Sequence, residues 1–222
     1  MTATLTKART AVREHGVAGT ARKALDRGID RGWVLRETHI WFELDLTRPQ
    51  PPRALPDGLA LGEARLEHSP LIEAIEGVTP AEAPERFEHG GTPWAIVDGD
   101  RAAFACWTFA AAAPVLAHPS GWLPLDGGMH VLEDSVTSPH YRGQGIAPGA
   151  WSALVAELAA RGGTTLITKV GVDNVASCRA VAKAGFQHAA TMTLVKAGPR
   201  KHVTMSAGTS PAGRYLAEQL AS

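Results

Sequence analysis

Apolar positions along this chain recur at two spacings, one helical and one strand-like, and segments of the two kinds alternate. Residues 3–31 are rich in Ala, Arg and Lys, with Leu5, Val12, Leu25 and Ile29 as apolar anchors. They predict one or two amphipathic helices with a basic face, interrupted near Gly16. Thr38-His-Ile-Trp-Phe-Glu-Leu-Asp-Leu46 is dense in residues that suit a pleated surface and predicts a strand. Arg48-Pro-Gln-Pro-Pro-Arg53 reads as a linker and sets an internal boundary. The expected division is therefore an N-terminal helical extension and strand over residues 1–50, and a main domain over 51–222.

Beyond that boundary the pattern gives a short strand within 59–64, a helix starting at Ser69-Pro70 and a helical stretch over 80–89. Pro93–Val97 and Arg101–Phe109 flank the turn sequence Asp98-Gly99-Asp100 as a hairpin. Residues 110–128 form a long connection bearing Pro and Gly. Met129–Thr137 predicts a strand, and Gly145–Arg161 a helix with Ile146, Trp151, Leu154, Val155 and Leu158 at helical spacing. A strand over Thr164–Val170, a helix over Val175–Ala184 and strands over 187–196 and 201–206 complete the series. Strands alternating with helices, then late strands, indicate an α/β or α+β domain around a mixed sheet.

Composition narrows the function classes. Hydrophobic residues make up 45% of the 222, enough for a substantial core. Lys+Arg equals Asp+Glu at 22 each, and the pI is near 7.1, so no overall field draws nucleic acid or an anionic membrane. The basic face of residues 3–31 is read as a packed helix with solvated Arg and Lys, with a membrane- or nucleic-acid-binding arm as the alternative. Cys106 and Cys178 lie in segments that read as core, the nine histidines are scattered without HxxxH spacing, and no metal site is expected. The N-terminus lacks the apolar core of a signal peptide, and the run Ala102–Ala117 is shorter than the ~18 residues of a membrane span, so a cytoplasmic protein is expected.

The strongest local signal is Pro139-His-Tyr-Arg-Gly-Gln-Gly-Ile-Ala147, where a strand ends and a helix begins. Glycines there let the backbone turn tightly and approach a ligand. The helix start offers unpaired N–H groups and the positive end of its dipole to an anion, and Arg142 adds a charged donor. A tight connection without a ligand would use the same residues. The turn is not a P-loop, since no Lys-Ser/Thr follows the glycines, and Gly143, Gly145 and Gly149 do not fit GxGxxG.

Arg142-Gly-Gln-Gly-Ile-Ala147 resembles the R/Q-x-x-G-x-G/A motif of the GNAT acyltransferases, which binds the pyrophosphate of coenzyme A. Thr137-Ser-Pro-His-Tyr-Arg-Gly143 looks like the V-x-P-E-Y-R-G stretch of that family, and Asn174 through Gly185-Phe186 is similar to its second signature. The resemblance covers roughly residues 57–206. It implies a mixed, mostly antiparallel central sheet flanked by helices, with acetyl-CoA as acyl donor. It also implies that Val136 and Thr137 offer backbone groups to pantetheine, and that the amides of Gly143, Gln144, Gly145, Ile146 and Ala147 hold the pyrophosphate beside Arg142. Asn174 is implied as a pantetheine contact and Ser177 as a contact near the thioester or phosphates; Asn174 as a helix N-cap, and Ser177 as simple helix packing, remain the alternatives.

The chemistry implied is attack of a primary amine on the thioester. An amine of pKa near 10.4 is neutral only to the order of one part in a thousand at neutral pH, so a base is useful. The candidates lie on the strand entering the turn: Glu133 ranks first, because members of the family often carry Glu at that position, then Asp134 and His130, each with surface exposure or a structural hydrogen bond as the alternative. Strict alternation puts Glu133 on one face with Ser135 and Thr137, and His130 on the other with Asp134 and Val136. Many relatives carry a tyrosine seven residues after the asparagine, as acid for the leaving thiolate; Val181 stands there.

The acceptor is expected between the early helices and the 110–128 connection, with Trp94, Trp107 and Trp122 as candidate walls. A small molecule is favoured over a protein, and a homodimer is left open. Three alternatives stand beside acetyl transfer: a catalytically silent acyl-CoA-binding module, transfer of a longer acyl group, and a partner-binding protein whose basic N-terminal arm does the work.

Overall fold

The computed structural model describes residues 34–65, 68–75 and 83–221; the helices expected over residues 3–31 lie outside the described residues. Along the described chain come β1 (Val34–Asp45), β2 (Gly62–Glu63), α1 (Ser69–Glu73), α2 (Ala83–Glu88), β3 (Gly91–Asp98) and β4 (Arg101–Phe109). A small hairpin, β5 (Ala112–Pro114) and β6 (Trp122–Pro124), precedes β7 (Met129–Thr137) and α3 (Ile146–Ala160). Then follow β8 (Thr165–Gly171), α4 (Val175–Lys183), β9 (Gln187–Ala197), β10 (Arg200–Ala207) and α5 (Pro211–Leu220).

Eight strands build one sheet in the order β10-β9-β1-β8-β7-β4-β3-β2. Neighbours run antiparallel except β7 and β8, which are parallel. The mixed, mostly antiparallel sheet expected from the sequence is present. Alternation along β1 drives both faces at once. Ile40, Phe42 and Leu44 join the core under α3, with Ile146, Trp151 and Leu154, while Trp41 joins the opposite core under α5, with Leu216 and Leu220.

Two features differ from the sequence expectation. The strand assigned to the N-terminal extension pairs with β8 on one edge and β9 on the other, so it belongs to the same sheet as the main domain. The Pro-rich segment after it lies across α3 and α4 instead of leading away. The Arg53 amide donates to Ser152 Oγ (3.0 Å), its guanidinium donates to the Lys183 carbonyl (3.2 Å), and Gly149 leaves room for Leu55. Neither β5–β6 nor α5 was anticipated.

Candidate active site

β7 and β8 are paired only from Met129–Thr165 to Leu132–Thr168, where the Thr168 hydroxyl donates to the Leu132 carbonyl at 2.9 Å. Beyond that tie β7 carries a bulge. Trp107 pairs with Glu133 and Ala105 with Val136, so β7 holds one residue more than β4 over this stretch. Asp134 takes up the extra length with φ of +48°, a left-handed conformation that Asp tolerates better than most residues. A bulge bends its strand, and here the parallel pairing ends beside it.

The bulge also resets which side chains share a face. Glu133 and Val136 point the same way, while Ser135 points to the α3 side and accepts a 2.8 Å hydrogen bond from Trp151 Nε1. The strict alternation that grouped Glu133 with Ser135 fails by one residue at Asp134.

Where the strands part, a cleft of about 350 Å³ opens. Val136 stands on its β7 side and Gly171 on its β8 side, with Trp151, Val181 and Phe186 as buried lining. Asn174 and Ser177 also line it; the Asn174 Oδ1 accepts from the Ser177 amide at 3.1 Å, so Asn174 caps α4 while facing the cleft. On the Glu133 face a second cavity of about 520 Å³ lies between α2 and the 114–122 connection. Glu133, Asp134 and Lys169 line both spaces, so the two meet there.

Glu133 is only 9% exposed and accepts a 2.5 Å hydrogen bond from Lys169 Nζ, which also donates to the Pro114 carbonyl at 3.3 Å. Burial pushes the Glu133 carboxyl above the usual range, and the Lys169 charge offsets part of that push. Asp134 is half exposed and ion-paired with the buried Arg86 at 2.5 Å. His130 does not join them. It sits in the paired half of β7 opposite Leu166, with its ring against Gly163.

Sequence reasoning missed three groups at this junction. Lys169 and Arg86 are the cations that hold the two carboxylates, and His39 on β1 lines the cleft. A lysine as the one charged residue of the Thr165–Gly171 strand was the visible signal for the first. Of the tryptophans, Trp122 lines the second cavity, Trp107 sits under the Arg86 guanidinium, and Trp94 is core, donating to Thr108 Oγ1 at 2.8 Å.

The turn after β7 continues its free edge. A short 3-10 turn over Pro139–Tyr141 leads to Gly143 and Gly145, with φ of +79° and +76°, and α3 starts at Ile146 with Gly145 as N-cap. The first bond back along this stretch runs from the Gly149 amide to the Gly145 carbonyl at 3.1 Å. The Ile146 and Ala147 amides precede it and Pro148 has none, so the helix start presents donors outward. A Cβ on Gly143 or Gly145 would meet nothing within 4 Å, and Arg142 Nε donates to the Thr137 carbonyl at 3.3 Å beside them. Outward amides, a nearby guanidinium and open space above the glycines suit an anionic group.

The sequence model of the Acetyltransferase (GNAT) family matches residues 64–186, a span that holds the bulge, the turn and α4. The chain belongs to the GNAT acetyltransferase family. Solved GNAT structures share its fold. One is an acetyltransferase of the family from Novosphingobium aromaticivorans, with a TM-score of 0.52 at 16% identity over 80% of this chain and 69% of that one. Another is a GCN5-related N-acetyltransferase from Sphaerobacter thermophilus, with 0.54 at 13% identity over 76% and 54%. A third is a tandem GNAT protein from the clavulanic acid biosynthesis pathway, with 0.54 at 15% identity over 78% and 58%. The chain thus spans little more than half the length of the latter two. No curated protein sequence matches it. Among the described residues no group of three or more His, Cys, Asp or Glu is placed to hold a metal, and no helix is long and apolar enough to cross a membrane.

Proposed function

We propose that this GNAT protein transfers an acetyl group from acetyl-CoA to a primary amine of a small-molecule acceptor. The observation that carries this reading is the meeting of two spaces at Glu133, Asp134 and Lys169, one beside the free edge of β7 and one on the opposite side of that junction. Backbone groups of Val136 and Thr137 would hold the pantetheine arm as an added strand, since that edge is unpaired beyond Leu132. The amides from Gly143 to Ala147, with Arg142, would hold the pyrophosphate. Asn174 and Ser177 would border the arm from α4.

Acetyl-CoA supplies a thioester carbonyl for the amine to attack and a thiol to leave. Glu133 would take the amine proton, and its burial suits it to that task by raising its proton affinity. Lys169 would orient the Glu133 carboxylate and keep it ionised when no amine is present. Asp134, held by Arg86, would sit beside them at the junction.

A second reading is acyl-CoA binding without turnover. It is favoured by the buried Val181 on the cleft and by the position of both tyrosines: Tyr141 donates to Asp98 and Tyr215 to the Pro124 carbonyl. Calorimetric titration with acetyl-CoA, followed by thiol release against a panel of primary amines, separates the readings. Saturable binding with amine-dependent thiol release supports transfer. Binding with no release from any amine supports the silent module, and no binding removes both.

A further inference from the structure

The cavity on the Glu133 face limits which acceptor it can take, and this inference rests on the acetyltransferase reading of the same site. Among its described lining residues, three carboxylates, Glu85, Asp134 and Glu133, face two cations, Arg86 and Lys169. Both cations are engaged, Arg86 with Asp134 and Lys169 with Glu133, each at 2.5 Å. Glu85 is the carboxylate beyond those pairs. It is exposed and accepts a hydrogen bond from Trp122 Nε1 at 3.2 Å, and the Trp122 ring is in turn stacked flat on His89 at 3.7 Å. The rest of the wall is Pro114, Val115, Leu116 and Gly121, with Leu116 44% exposed, and Ser120, whose hydroxyl already donates to the Trp122 carbonyl at 2.9 Å.

These facts constrain charge and body separately. An arriving ammonium balances the surplus carboxylate. A carboxylate beside the amine would have to draw Arg86 from Asp134 or Lys169 from Glu133, and Glu133 is buried, so losing its cation is costly. A polyhydroxylated body would forfeit hydrogen bonds against Pro114, Val115 and Leu116. We propose that the acceptor is a primary ammonium on an apolar body with no carboxylate near the amine. Amino acids and amino sugars are thereby disfavoured.

Three probes of similar shape test this on the full chain saturated with CoA: phenethylamine, phenylalanine and phenethyl alcohol, each titrated calorimetrically. Phenethylamine is expected to bind about tenfold tighter than either of the others. Glu85→Gln should weaken it about threefold to fivefold, the range a partly exposed ion pair allows. An acetyl-CoA titration of the same preparations shows whether the donor half of the site is intact. Equal binding of the amino acid or the alcohol, no effect of Glu85→Gln, or no binding of phenethylamine where acetyl-CoA binds, would each overturn the acceptor class alone. Failure to bind acetyl-CoA would take down the acetyltransferase reading and this inference with it.

Discussion

Glu133 and Lys169 are joined by a 2.5 Å hydrogen bond, and substitution of either should expose that coupling. Glu133→Gln removes the proposed proton acceptor but keeps the shape. Turnover should fall by about two orders of magnitude while acetyl-CoA affinity changes little; comparable losses in both would remove Glu133 as the base. Lys169→Met leaves a buried carboxylate without its cation and should cost about 3 kcal/mol in denaturant unfolding in mildly basic buffer. Combining it with Glu133→Gln should recover much of that loss, because no charge is then left unpaired. His39 gives a pH signature of another sign. Burial, then the Lys169 charge, lowers its pKa from the ordinary 6.5. A depressed value means that the unfolded chain binds the proton more readily, so the His39 contribution is present above 6.5 and lost as pH falls through the folded value. His39→Gln should flatten that acid limb of the stability curve, and an unchanged limb would place its cause elsewhere. At this scale the sequence made Glu133 a candidate, on the strand ahead of the glycine turn and at a position where the family often carries Glu. It hid Lys169, because the two meet only by the pairing of strands 36 residues apart. It misplaced His130 because alternation along a strand does not tell which end of it will be left open.

Elements with a long, regular apolar rhythm were legible, and the irregular ones were not. Helix α3 runs within a turn of its expected limits because Ile146, Trp151, Leu154, Val155 and Leu158 all reach the core. The β7 bulge has no such rhythm; Ser135, which it turns to the α3 side, is held there by Trp151. β5–β6 is three residues a side, too short to show periodicity among the prolines and glycines of 110–128. Helix α5 did carry a start signal, since Ser210 caps it and Pro211 opens it, with Leu216 and Leu220 one turn apart on the buried side. The cradle at the head of α3 is where element geometry and function can be separated by mutation. Gly145 has φ of +76°, so any side chain there is strained. Gly145→Ala should cost about 1–2 kcal/mol of stability and retain acetyl-CoA binding. Gly145→Glu adds negative charge and bulk at the proposed pyrophosphate position, and should abolish the binding isotherm in a protein that is still folded. Matching affinities in the Ala and Glu variants would mean that the turn only connects β7 to α3.

For the molecule as a whole, what matters is that β1 lies inside the sheet. A Pro-rich stretch following a strand reads as a boundary because composition reports local stiffness and is silent on where the chain goes next. Here it goes back across α3, tied by Arg53 to Ser152 and to the end of α4. β1 separates β8 from β9 and joins both along its length, and its Trp41 is fully buried in the core shared with α5. The β8 edge that borders the cleft, with Lys169 opposite Trp41 and Gly171 opposite His39, is therefore set from the other side by β1. Two predictions follow at different severity. Trp41→Ala should cost about 3–5 kcal/mol, as for other large-to-small changes in a close-packed core. Removing residues 1–50 should do far more. It takes out β1 and leaves β8 and β9 with unpaired backbone edges in the middle of the sheet, where each buried N–H and C=O without a partner carries its own penalty. The shortened chain should lose its cooperative thermal transition, and acetyl-CoA binding with it. A shortened chain that melted cooperatively near the full-length Tm and still bound acetyl-CoA would show that β8 and β9 can close on each other, and that β1 is dispensable to the site.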